Sequence, residues 1–358
     1  MRIGVYDPYL DDIGGGEKYM MTLAKSLVQG NEVDIFWDNI GDLEKVAKRF
    51  DLDVSNVRLM PNIFSPNVGF IKRFIETKKY DVLIILSDGS VPIVSSKKLF
   101  LHVQQPLPGL KVGLKSKMKL SRVDKVFCNS YFTKRFVDKN LGVDSIVIYP
   151  PVTLHPKKEE KENIILHVGR FRVRNVGISD YKKQDVMVKE FKKMVDNGLR
   201  KWKFIIAASV DENNDNEIKI FEEFVNKAKD YPIEFEVNKT NKELWDLYSR
   251  AKIYWHASGF GEDLEKHPEF AEHFGISTVE AMGAGVVPVV INSGGQKEIV
   301  EDEVSGFLWN TLEELKERTL LLTKEDKILK TMSSAAKKRA QDFAGDRFGD
   351  DVKRMVYG

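Results

Sequence analysis

The sequence predicts an α/β protein built from two Rossmann-like, doubly wound parallel-sheet domains. Short apolar runs alternate with longer segments of helical period, the pattern of parallel strands covered by helices. The series runs through once and then restarts with its own strand and glycine-bearing turn. At 358 residues the chain is long enough for two ordinary domains.

In the first series the strand candidates are 3–6, 33–37, 82–86, 99–103, 126–129 and 145–148. The second begins at 164–168 and continues with 204–208, 233–237, 253–256 and 287–291. Between them, Tyr149-Pro150-Pro151-Val152 and the charged run 157–162 read as a linker. The last segment, 331–356, reads as helix, and its composition does not say which domain it packs on.

Composition narrows the function. With 42% hydrophobic and 31% charged residues the chain reads as globular. Its 56 basic and 54 acidic residues leave a net charge of +2, which gives no nucleic-acid signal. The one cysteine, Cys128, excludes an internal disulfide and a cysteine metal site and fits a reducing compartment. No apolar stretch approaches the roughly 20 residues that span a bilayer, and Met1-Arg-Ile-Gly-Val-Tyr leads straight into a strand-like run. A cytoplasmic protein is expected, able to work at the inner face of a membrane.

The most informative stretch runs from Glu272-His-Phe-Gly-Ile to Ser277-Thr-Val-Glu280 and on to Gly285-Val-Val-Pro. It reads as loop, helix, glycine-rich turn and buried strand. A helix N-terminus offers unpaired N–H groups and a positive dipole end, which suit a diphosphate. Glu272 and Glu280 carry the wrong charge for that diphosphate. They are suited instead to accepting hydrogen bonds from sugar and ribose hydroxyls. A purely structural reading stands beside this one, since Ser277-Thr-Val-Glu280 is also a capping box.

This stretch resembles the signature of the GT4 family of retaining glycosyltransferases, whose fold is called GT-B. Glu272 and Glu280 match its E-x7-E motif, and Gly294-Gly295-Gln-Lys-Glu298 matches the segment that follows. The resemblance implies two domains facing a central cleft: an acceptor domain, 1–150, joined by a C-terminal helix 336–358, and a nucleotide-sugar donor domain, 151–335. Glu272 and the backbone of Phe274, Gly275 and Ile276 would hold the donor sugar, and Glu280 the ribose.

At the head of the second series stand His167-Val-Gly169-Arg170-Phe171 and Lys182-Lys183-Gln184-Asp185. The family pairs such an arginine and lysine to neutralise the donor diphosphate, which makes Arg170 and Lys182 the expected cations. Lys183 is the alternative, with the insert 172–181 between. Cations there stabilise charge on a leaving group. Gly14-Gly15-Gly16-Glu17 opens the first long helix, where glycines admit a phosphate or sugar to the backbone. By resemblance Gly15 and Gly16 face the donor phosphates. The family's H-x-P turn corresponds here to Leu101-His102-Val-Gln104-Gln105-Pro106, leaving His102 or Gln104 to approach the sugar.

Asn238 and Thr240 follow a strand where family members contact the nucleotide base. Glu262-Asp263 reads as a solvated acidic loop, and no metal is expected. The basic segment 111–125, with Leu110, Leu114 and Met118 among its cations, is a candidate contact for an anionic membrane surface. The chain is thus expected to move a hexose, with mannose favoured, from a GDP- or UDP-sugar to an acceptor hydroxyl. That acceptor would be a glycan, a lipid-linked molecule or a small molecule, and no bound cofactor is expected. A sugar-nucleotide epimerase and a non-catalytic nucleotide-sugar-binding protein are the alternatives.

Overall fold

A computed structural model describes residues 1–12, 14–110, 113–155, 157, 159–171 and 182–358, without the side chains of 114–116. It divides into two units, one of residues 1–151 and 343–358, the other of residues 152–342.

The first unit contains strands β1 (Arg2–Tyr6), β2 (Glu32–Phe36), β3 (Val57–Met60), β4 (Val82–Leu86), β5 (Lys98–Val103), β6 (Lys125–Cys128) and β7 (Ile146–Val147). They form one parallel sheet in the order β3-β2-β1-β4-β5-β6-β7. Its helices are α1 (Gly15–Leu27), α2 (Ile40–Phe50), α3 (Phe70–Thr77), α4 (Leu114–Leu120) and α5 (Tyr131–Leu141). All five residues of β4 are buried, as expected of a central strand covered on both faces.

The second unit contains β8 (Ile164–Arg170), β9 (Lys203–Ser209), β10 (Ile233–Val237), β11 (Ile253–His256), β12 (Val287–Ile291) and β13 (Phe307–Trp309). Their parallel order is β10-β9-β8-β11-β12-β13. Around them run α6 (Gln184–Asp196), α7 (Asp215–Asn226), α8 (Asn241–Arg250), α9 (Ile276–Gly283), α10 (Gln296–Ile299), α11 (Leu312–Lys324) and α12 (Asp326–Ala340). In both sheets the strand order reverses beside the first strand of the series. Ligands of doubly wound folds bind at the carboxyl ends of the strands at such a point.

The chain then returns to the first unit as α13 (Gly345–Tyr357), which packs Phe348, Val352, Met355 and Val356 into the core that α1 covers. Two sequence expectations are corrected here. The segment 331–356 is not one helix but two, parted at Gln341–Phe343 by a turn of 3₁₀ helix. The boundary also falls later than 336, because α12 belongs to the second unit through Ala340. Leu329 and Met332 enter that core, Ser333 Oγ donates to the Gly285 carbonyl at 2.6 Å, and Arg339 Nε donates to that of Ile299 at 3.0 Å. Strands β3 and β13 were absent from the sequence reading.

Candidate active site

In the second unit Glu272 sits in the loop ahead of α9, half-buried, with cationic and polar neighbours. Lys182 Nζ donates to its Oε2 at 2.8 Å. His256 Nε2, at the end of β11, lies 3.1 Å from the same oxygen, and Ser258 Oγ lies 3.3 Å from that nitrogen. Burial opposes ionisation of Glu272, but the Lys182 charge and the His256 hydrogen bond hold its carboxyl well below the usual range. Burial lowers His256 below the ordinary histidine value, so its ring is a neutral partner of the carboxylate at physiological pH.

The loop owes its position to glycines. Gly295 N donates to the Glu272 carbonyl at 2.8 Å. A Cβ on Gly294 would stand 2.3 Å from that carbonyl oxygen, and one on Gly295 would stand 2.4 Å from Phe274 Cα. Gly275 is the N-cap of α9 at φ +123°, a left-handed conformation that favours glycine. A Cβ there would meet the Gln296 amide nitrogen at 2.6 Å. Phe274 is buried, while Ile276 starts the helix half-buried with its N–H in the first turn.

The capping-box reading of 277–280 does not hold, because α9 starts at Ile276 and Glu280 lies too far along to reach the cap. Ser277 Oγ is instead 2.8 Å from Tyr254 Oη, and Glu280 Oε2 accepts from Tyr248 Oη at 3.1 Å. Both glutamates of the sequence motif are therefore held by side chains of strand ends and helices around α9.

Arg170 ends β8 with its side chain exposed. The insert 172–181 lies outside the described residues. Lys183, the alternative cation, is engaged elsewhere: its Nζ donates to Glu262 Oε1 at 2.5 Å. The polar atoms of Asn238 and Thr240 are likewise occupied by local structure. Asn238 bonds the Val210 N–H and carbonyl at 2.9 and 3.1 Å, and Thr240 caps α8 with Glu243. Those bonds leave the expected base contact without support from these two side chains.

In the first unit Gly15 and Gly16 open α1, and Glu17 Oε2 accepts from the Gly14 N–H at 2.7 Å. The Gln104 side chain packs onto this loop, since a Cβ on Gly16 would lie 2.5 Å from its Nε2. His102 is placed differently. It is fully buried between Tyr19 and Phe127, with ring centroids 4.1 and 4.7 Å away. Its Nδ1 is 3.2 Å from the Phe127 carbonyl oxygen, and burial pushes its pKa down to about 3. The expectation that His102 approaches the sugar is corrected, because strand β5 points this ring into the core.

Residues the sequence reading missed include His256, Gln296 and Asp7. Gln296 is fully buried beside Gly275 and, among the described residues, neither of its amide atoms has a partner. Asp7 closes β1 ahead of the glycine loop at 1% exposure. Burial raises its carboxyl to about 7. Among the described residues no group of three or more potential ligands could hold a metal ion.

Residues 155–339 match the family model Glycosyl transferases group 1. The chain belongs to this family.

Curated relatives of this glycosyltransferase include the GDP-Man:Man(3)GlcNAc(2)-PP-Dol alpha-1,2-mannosyltransferase of Dictyostelium discoideum, 28% identical over 233 residues. That match takes in 61% of this chain and 43% of the relative. The chain thus spans less than half the length of that relative. An alpha-1,3/1,6-mannosyltransferase of the same organism is 23% identical across 87% of this chain and 86% of its own. Among solved structures, HepE of Anabaena in complex with UDP superposes with a TM-score of 0.74 at 16% identity, covering 99% of both chains. TarM gives 0.75 at 12% identity over 100% of this chain and 99% of its own. These likenesses, with the two parallel sheets, make the fold of the glycosyltransferase GT-B.

Proposed function

We propose that this glycosyltransferase moves a hexose from a nucleoside diphosphate sugar to an acceptor hydroxyl with retention of anomeric configuration. The observation that carries the reading is Glu272, a carboxylate kept ionised by Lys182 and His256 in the loop leading to the α9 N-terminus. An ionised carboxylate accepts hydrogen bonds from sugar hydroxyls, and the adjoining helix end suits a diphosphate. Glu280, held by Tyr248, would take the ribose hydroxyls. Arg170 would stabilise the departing diphosphate together with Lys182, which is released from Glu272 as the donor enters. Among the described residues no side chain stands out as a covalent nucleophile. The acceptor hydroxyl therefore attacks from the leaving-group side, and its proton passes to the departing phosphate oxygen.

The mannosyltransferase relatives favour GDP-mannose as donor and a lipid-linked glycan as acceptor. The first unit would hold that acceptor and the second the donor. We read contact with such an acceptor as peripheral, at the cytoplasmic face. Among the described residues no helix is long and apolar enough to cross a membrane.

A thermal-shift screen of GDP, UDP, ADP and their sugar conjugates tests this directly. A ligand at about 100 times its Kd adds roughly 2.7 kcal/mol of stability. A shift confined to one base identifies the donor, and no shift with any of them rejects the reading.

A further inference from the structure

Helix α3 reverses the usual arrangement of a surface helix, which buries its apolar stripe and shows its polar one to water. Phe70, Ile71, Phe74 and Ile75 are 61%, 62%, 41% and 59% exposed. At roughly 3.6 residues per turn these positions share one face. The side turned to the protein carries Arg73 and Thr77.

Polar bonds hold that inner side. Arg73 Nε donates to the Ile63 carbonyl at 3.1 Å and its Nη2 to that of Val68 at 3.3 Å. Its guanidinium also stands 5.6 Å from the Phe64 ring centre. Thr77 Oγ1 accepts from Ser95 N at 3.0 Å, and the Ser95 hydroxyl donates to the Phe74 carbonyl. These bonds fix the orientation of the helix, so the outward apolar face is built in. Four large apolar side chains side by side on a surface mark an interaction site more often than a chance exposure.

The flanking charges say what covers it. Lys72, Lys78 and Lys79 are exposed around the apolar face, and the single acid of the helix, Glu76, is paired with Lys79 at 2.6 Å, which leaves Lys72 and Lys78 to meet an anionic partner. The same character continues through the chain segment at 94–95. Arg122 Nη2, just beyond α4, donates to the Val94 carbonyl at 2.9 Å, and the next residue, Ser95, is the one bonded to α3. On these tied segments Ile93 is 43% and Met118 66% exposed, the latter between exposed Lys117 and Lys119.

We propose that α3, together with Ile93 and Met118, is a docking surface for an anionic lipid bilayer. The apolar side chains enter the boundary between headgroups and acyl chains while the lysines meet lipid phosphates. A second copy of the chain fits this face less well, because a two-fold contact would set these lysines against their own counterparts. The sequence had pointed to 111–125 for this role. Within it, Lys111 and Val112 lie outside the described residues, and α3 supplies the larger apolar face. The inference adds a surface to the lipid-linked acceptor proposed above. It stands on α3, Ile93 and Met118, none of which the nucleotide-sugar reading uses, so the two readings fail separately.

Co-sedimentation with vesicles of phosphatidylcholine, with and without phosphatidylglycerol, tests the proposal. The wild type should partition onto the anionic vesicles. F70S/F74S, which changes only exposed side chains, should lose about tenfold or more of that partitioning. K72E/K78E should lose it too, and the wild type should be released by salt. A Phe74→Trp reporter should shift its emission to the blue on the anionic vesicles only. Melting temperature and the nucleotide shift should stay unchanged in the variants, which excludes misfolding. Equal binding to neutral and anionic vesicles overturns the proposal, as does wild-type partitioning by F70S/F74S. A wild-type dimer that F70S/F74S converts to monomer, with no vesicle binding, assigns the face to a second copy instead.

Discussion

Lys182 Nζ stands 2.8 Å from Glu272 Oε2, although the two residues are 90 positions apart in the chain. The carboxylate lies where burial alone would favour its neutral form, and the ammonium reverses that preference. Lysine and glutamate therefore act as one unit. The folded-state carboxyl is depressed below its ordinary value of 4.5, so its contribution to stability is present above that value. It is lost as pH falls through the lower folded value.

Lys182→Ala should accordingly do two things. Transfer should fall by about 10²–10³-fold, the range for removing one electrostatic stabiliser of a leaving group. The acid limb of the kcat/KM profile should also move to higher pH, because the rise that burial imposes on the Glu272 carboxyl is then opposed by the His256 contact and no longer by the Lys182 charge. A pH–rate profile reads both. An acid limb that stays in place would show that the pair does not control the ionisation of Glu272.

Gly295 is the second place where one atom decides the site. An added Cβ would lie 2.4 Å from Phe274 Cα and 2.5 Å from its carbonyl oxygen, a collision with backbone that no rotamer relieves. Gly295→Ala should cost about 1–3 kcal/mol of stability through forced backbone movement. It should also weaken nucleotide-sugar binding more than stability alone explains, since the displaced segment carries Glu272. Calorimetric titration beside a melting curve separates the two effects. Unchanged affinity in a folded variant would remove the glycine pair from the site's architecture.

Asp7 gives a pH dependence of opposite sign. Its carboxyl rises from 3.8 to about 7 because burial penalises the charge, with Glu17 and Asp11 adding to the rise. The folded state then holds a proton that the unfolded chain releases. Stability from this group is full below 3.8 and is lost as pH climbs towards about 7. Asp7→Asn keeps an acceptor for the Tyr9 N–H, now 2.9 Å from Oδ1, and carries no charge. At pH 8 it should be more stable than the wild type by about 1–3 kcal/mol, with the gain gone at pH 4. Denaturant melts at the two pH values check this, and a gain of equal size at both would contradict it.

The sequence made the two sheets legible wherever a strand is a continuous buried run, as in β4 and β12, which are buried at every residue. It failed on β3, where only Val57 is buried, and on β13, which is three residues long. Neither carries enough apolar signal to stand out from a loop. In the site, the E-x7-E spacing located Glu272 and Glu280, and the glycine pair was visible beside it. The partners of those glutamates were not. His256 sits in a buried strand and reads as a core residue, and the approach of Lys182 depends on a fold that brings positions 182 and 272 together. The N-cap of α9 at Gly275 was hidden by Ser277, a better cap by type but two positions too late.

His102 and Gln104 illustrate the same limit and give the last test. His102 lies near the end of β5 and Gln104 just past its last residue, Val103, and residue type alone favours histidine as the functional one. Side chains alternate along a strand, so 102 and 104 would point to the same side, yet the strand ends at Val103 and Gln104 is clear of the sheet. His102 stays between Tyr19 and Phe127, its pKa near 3 keeping the ring neutral throughout the working range. His102→Phe should therefore lose about 1 kcal/mol of stability with the bond to the Phe127 carbonyl, and leave the pH–rate profile unaltered. Gln104→Ala should do the reverse. On the reading that the amide packed against Gly16 meets the substrate, it should leave the melting temperature nearly unchanged and lower transfer about tenfold. Steady-state rates for the two variants decide between the residues, and a larger loss of transfer from His102→Phe in a folded enzyme would return the role to histidine.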